Sequence, residues 1–251
     1  MLITLHCGTL VSWGNAWLAG CAGLDEVDRS LDGSEQVHRA VGVPGEPGPV
    51  SLAVALGRLR GDGLHRLSLA VAAPGDPVGL AGPPAFTAAA TEAGAAVLAV
   101  GTGLGLVPTQ VGAVVRWDLQ PALAPALVPD LGEASAQFRT AVTTATALLE
   151  QLEVARDRAE VAGSLADLSH LLERHPAPLI EPRTLALLAT AARVDLLVRL
   201  AGRDDGAALT AAQARARGEA LRPAAAAARR LLVAAYSAAP EPGPARRPHA
   251  G

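Results

Sequence analysis

The chain has 251 residues, and all 21 of its basic residues are arginine, set against 24 acidic ones. A formal net charge of −3 supplies no global field for nucleic acid or an anionic membrane, and the missing lysine excludes Schiff-base and Walker-type chemistry. Half of the residues are apolar but only 2% are aromatic, so the core must be built from Leu, Val and Ala; with 26 glycines and 19 prolines, this is the codon signature of a GC-rich genome such as an actinobacterium's.

In chain order, Leu2–His6 reads as an opening strand, and Val11–Ala19 as a helix with Trp13 and Trp17 on one face at i, i+4. Leu24–Leu31 is a short acidic helix and Val37–Val43 a second strand. After a Gly/Pro loop, Ser51–Arg60 repeats leucine at helical spacing behind Ser51 as N-cap. Leu67, Leu69 and Val71 alternate through the strand Arg66–Ala72. The Pro74–Pro84 stretch is too rich in proline and glycine for anything but an ordered loop. Ala85–Gly94 is an alanine-rich helix, and Ala96–Val100, Leu104–Val107 and Gly112–Trp117 are three closing strands.

The periodicity changes after Pro121. Asp130 and Glu133 resemble a capping box, and Phe138, Val142, Ala145, Leu149 and Leu152 follow a helical repeat. A second helix carries Val161, Leu165, Leu168 and Leu172. A third begins at Pro182 and is apolar on most faces to Leu200, which makes it the most buried of the set. A fourth, Leu209–Ala238, should kink or split at Pro223. The organisation expected is α+β: a mixed-sheet domain of five or six strands over 1–122, an antiparallel helical bundle over 130–238, and a disordered Pro/Gly/Arg tail over 239–251.

Chemical motifs are few. Gly101, Gly103 and Gly105 form a glycine-rich run, but a strand and Pro108 follow where a dinucleotide fingerprint needs a helix, so a tight turn is the plainer account. The loop at Pro74–Phe86 could wall a pocket, with Asp76 as its sole charge and Gly75 and Gly79 shaping it; equally, Asp76 could cap a turn. His6 is a candidate only through tertiary contacts, since on a strand Cys7 would point the other way. No metal set, cofactor motif or base–nucleophile pair is present. Arg215, Arg222, Arg229 and Arg230 form a basic stripe that reads as a solvated helix face.

Cys7 and Cys21 are expected as reduced thiols. Leu18–Cys21 matches a lipobox, but no arginine precedes the apolar stretch, so lipidation is not expected. The uncharged run Ala93–Val115 is broken by glycines and fits two strands better than a membrane span, and the location expected is cytoplasmic.

The segments Leu2-Ile3-Thr4-Leu5-His6-Cys7-Gly8, Pro74-Gly75-Asp76-Pro77-Val78-Gly79-Leu80 with Gly82-Pro83, and Gly103-Leu104-Gly105-Leu106-Val107-Pro108 resemble a family of conserved hypothetical proteins from actinobacteria. The resemblance covers most of the chain and implies no activity or catalytic residue. The leading functional reading is therefore a non-enzymatic protein acting through contacts with an unknown protein partner or with itself. The alternative is a small-molecule or nucleotide-binding protein, or an enzyme, with its site between the Pro74–Phe86 and Gly101–Gly105 loops. Nucleic-acid binding by the arginine stripe ranks last.

Overall fold

The computed structural model describes residues 2–32, 36–125, 127–151, 180–203 and 211–237. The elements are α1 (Leu2–Leu18), α2 (Leu24–Asp32), β1 (Val37–Val41), α3 (Leu52–Gly61), β2 (Arg66–Ala73), β3 (Asp76–Val78), α4 (Pro84–Ala93), β4 (Ala96–Val100), β5 (Leu104–Val111) and β6 (Val114–Pro121). Three long helices follow: α5 (Leu131–Gln151), α6 (Pro182–Arg203) and α7 (Ala211–Ser237).

The strands make one mixed six-stranded sheet in the order β1-β6-β5-β4-β2-β3, with β1 parallel to β6 and every other pair antiparallel. The chain enters at one edge, crosses through α3 to the far side, and returns by the β4–β5–β6 meander. Strand alternation sorts the apolar side chains onto two faces. Leu67, Leu69, Val97, Leu106, Val115 and Trp117 point to the inner face and join α1, α2, α3 and the long helices in the main core. Leu98 and Val107 point outward and join Phe86 and Ala90 of α4 in a second, smaller core, with Ala122 beside them.

The expected opening strand is not formed. Leu2–Leu18 is one continuous helix, and His6 lies on it. Periodicity could not reveal this, because Thr4 through Gly8 and Leu10 through Ser12 are all buried and the helix has no polar face to mark its turn. Its glycines are packing devices: a Cβ on Gly8 would sit 2.5 Å from the Tyr236 ring carbons. The chain's single asparagine completes the docking of α1. Asn15 Oδ1 accepts from Leu67 N at 2.7 Å and its Nδ2 donates to Leu67 O at 2.9 Å, so one side-chain amide satisfies both backbone groups at the start of β2.

Two more differences concern proline. The Pro74–Pro84 loop contains a strand, because Pro74 and Gly75 (φ +76°) supply the tight turn that folds β3 back on β2. β5 runs through Pro108 to Val111, since β4 stops pairing at Leu106 and Pro108 has a neighbouring strand on one side only. The caps at Ser51 and Asp130 form as expected, accepting from Val54 N and Glu133 N respectively.

Of the expected four-helix bundle, the described residues show three long helices. α5 and α6 each pack along α7, and the expected helix through Val161–Leu172 lies outside the described residues, as does the tail. α7 is continuous through Pro223 and leaves the other two helices to pack on α1, β2 and β3, where Leu231–Ser237 are buried without exception. Over the described residues α7 is more buried than α6, the third expected helix. One apolar core runs from Leu5 to Tyr236 across the 122–130 junction. Among the described residues no helix is long and apolar enough to cross a membrane.

Gly8→Ala should lose stability, by about 1–3 kcal/mol for overpacking against Tyr236, although alanine is the better helix former. Gly57→Ala, in α3 with open space at its Cβ, should gain about 0.5–1 kcal/mol. Urea unfolding of both variants checks the pair, and equal effects would contradict the packing assigned to Gly8.

Candidate functional site

The site candidates are dispersed. Asp76 opens β3 and faces α7: Arg229 donates to its Oδ2 from Nε at 3.2 Å and Nη2 at 2.5 Å, and Arg230 Nη2 donates to Oδ1 at 3.0 Å. The carboxylate is thus divided between two adjacent guanidiniums, with the Arg229 side chain only 11% exposed. Arg229 and Arg230 do not sit on a solvated face as the sequence suggested; they latch α7 to the β2–β3 hairpin. Gly79 (φ +73°) lets the chain pass over β2, where an added Cβ would stand 2.7 Å from Leu69 O. Gly75 belongs to the hairpin turn.

Gly101 and Gly103 form the β4–β5 turn, closed by Thr102 Oγ1 donating to Ala99 O at 2.8 Å. Gly101 abuts Gly63 and His65, at the opposite end of β2 from Pro74. Gly105 and Gly82 do converge, but on the Phe86 ring and Ala122, which fill the space between them. The expected interloop pocket is occupied by the protein's own second core. A shallow depression lies on the other flank of α4, lined by Pro74, Gly82, Pro84, Thr87, Ala88, Thr91 and Glu92. Both of its hydroxyls donate to backbone carbonyls, Thr87 to Gly82 and Thr91 to Thr87. It presents no convergent polar groups.

His6 is buried with its ring edge-on to His38 of β1, the centroids 5.0 Å apart. Trp117 Nε1 donates to His38 Nδ1 at 3.0 Å, which fixes the proton of neutral His38 on Nε2. Among the described residues that Nε2 and both nitrogens of His6 make no hydrogen bond. Burial, with His38 adding to it, lowers His6 to about 4; burial lowers His38 to about 4, against a smaller upward pull from the Leu31 backbone. Burial also pushes the Cys7 thiol up and Tyr236 to about 12, so these groups stay neutral. Cys21 is exposed, and cleavage before it would strip Leu5, Leu10 and Val11 from the core. No cluster of three metal-ligating side chains occurs among the described residues.

What the strands leave uncovered is more informative. On the outer face α4 covers β2, β4 and the near part of β5, and no element among the described residues covers β6 and β1. Residues paired in register point to one side. Val37, Val114 and Val111 therefore form one outer row, and Arg39, Arg116 and Thr109 the next, with Val41 and Asp118 beyond. Val37 is 44% and Val111 56% exposed. Arg116 Nε donates to Asp118 Oδ2 at 3.0 Å, while Arg39 has no carboxylate partner among the described residues. Sequence reasoning missed this surface. Its signal was the matching alternation of Val37-x-Arg39-x-Val41 and Val114-x-Arg116-x-Asp118, legible only once the two strands are known to be neighbours.

The first half of the chain, residues 7–134, matches the family model for the N-terminal domain of Rv1486c-like proteins, and residues 132–233 match the model for their C-terminal domain. The chain belongs to the Rv1486c-like family, which bears out the resemblance to conserved hypothetical proteins drawn from its loops. No curated protein and no solved structure matches it.

Two expectations test these assignments. The histidines' folded pKa lies below the unfolded value of 6.5, so the unfolded chain binds more protons and stability falls as pH drops below 6.5. Between pH 7 and pH 5 each histidine should cost about 2 kcal/mol of urea-unfolding free energy, and His6→Leu should remove about half of that fall. Asp76→Ala strands a mostly buried guanidinium and should cost about 2–3 kcal/mol, much of it recovered in Asp76→Ala/Arg229→Met. A double variant no more stable than the single one would contradict the latch.

Proposed function

We propose that this member of the Rv1486c-like family is a non-enzymatic cytoplasmic protein that works through protein contacts, with the uncovered half of its outer sheet face as the contact surface. The observation that carries the reading is the valine row Val37–Val114–Val111, left open beside a helix-covered half of the same sheet. Sheets bury an apolar face against another layer, and an exposed apolar strip rimmed by charge marks an interaction site. The side chains best suited to chemistry are committed elsewhere: His6 and Cys7 are in the core and Asp76 is held by two arginines. The place of α1 in that core supports an unlipidated Cys21 and the cytoplasmic reading.

The test is site-specific photo-crosslinking in the native host. A photoreactive residue at Val111 should give discrete adducts that are lost with Arg116→Glu, whereas the same residue at Gly57, exposed on α3, should give none. Equal yields from both positions, or none from Val111, would overturn the proposal.

A further inference from the structure

Resting on that contact surface, we infer that its occupant is a single amphipathic α-helix of a partner chain. It lies beside α4, sets apolar side chains on Val37, Val41, Val111 and Val114, and brings carboxylates to Arg39 and Arg116.

Strand addition is closed off at both sheet edges. On β1, Ala40 N donates to Val50 O at 2.8 Å and Val50 N returns to Ala40 O at 3.0 Å. The next outward carbonyl along that edge, His38 O, accepts from Arg39 Nη1 at 3.0 Å. At the other edge β3 is three residues long and contains Pro77, and α7 packs against β2 and β3. Short, proline-bearing and covered edges do not template a further strand. A partner must therefore use the face.

The width of the face selects the element. Two strands and the end of a third, about 4.8 Å apart, leave a shelf some 10–14 Å wide. One α-helix measures about 10–12 Å across its side chains. α4 already shows how this sheet accepts a helix, seating Phe86 and Ala90 on Leu98 and Val107. The shelf left open by the described residues is the position next to it. Charge then selects the helix. Among the described residues the row behind the valines holds two guanidiniums, with the single carboxylate of Asp118 in the row beyond, and the Arg116 side chain is 49% exposed. A helix with Glu or Asp flanking its apolar stripe complements that excess, whereas a basic one is repelled.

Two synthetic helical peptides with the same leucine stripe at i, i+3, i+4 and i+7, one flanked by glutamate and one by lysine, make the test. Fluorescence anisotropy with the full-length protein at low salt should show the glutamate peptide binding about tenfold more tightly. Arg39→Glu/Arg116→Glu should invert that preference while circular dichroism stays unchanged. Equal binding of both peptides, no binding, or a preference untouched by the double variant would overturn the inference. Val111 adducts of twice the chain mass would also overturn it, in favour of a second copy. If Val111 still gives adducts with another chain while the peptides are not discriminated, the contact surface stands and the helix falls. If both experiments are negative, both readings fall.

Discussion

The close approach of α1 and α7 over β2 is the constraint on which the rest of the molecule depends. Gly8 brings the Tyr236 ring against the α1 backbone, Asn15 ties α1 to the first peptide of β2, and Asp76 ties the β2–β3 hairpin to Arg229 and Arg230. The ion pairs among them link residues up to 154 positions apart. They explain why the last turns of α7 can be buried on every side: a helix end inserted into a core needs small neighbours and no stray polar group. The Ser237 hydroxyl there faces the hydroxyl of Ser68 at 3.5 Å. With so few aromatic residues, such backbone-level closeness replaces the large anchors that other cores use.

A second constraint follows from the sheet. Its inner face is filled by helices from both halves of the chain, while among the described residues its outer face receives only α4. Phe86, one of two phenylalanines in the chain, anchors that small second core, and Gly105 and Gly82 exist at van der Waals distance from its ring. Because α4 is only ten residues long, it shields β4 and its neighbours and stops short of β6 and β1. The asymmetry between a crowded inner face and a half-open outer one is what the proposed contact surface rests on. The edges are meanwhile blunted by Val50, Arg39 and Pro77.

The histidine pair illustrates how burial, rather than residue type, decides chemistry. His6 and His38 meet in the core, and Trp117 pairs with one nitrogen of His38 and so fixes its tautomer. The arrangement disfavours protonation and also disfavours metal binding by His38, whose buried Nε2 carries the proton. Both rings serve as polar bodies in an apolar layer. Asp76 took the opposite course: a loop carboxylate that looked available for a ligand is instead divided between two arginines from the far end of the chain.

Local rules written in the sequence held wherever one residue's neighbours along the chain settle its conformation. The alternation of Leu67, Leu69 and Val71 made a strand, Ser51 and Asp130 capped helices, and the glycines from 101 to 105 made a turn, because each depends on hydrogen bonds within a few residues. The mixed-sheet character and the family were legible for the same reason: strand alternation and loop composition are local. The opening helix, the path of α7 and the open sheet face were decided by tertiary structure alone. A helix buried on all sides carries no periodic signature, an ion pair across 153 residues leaves no local trace, and an exposed row of valines exists only after β1 and β6 are brought side by side.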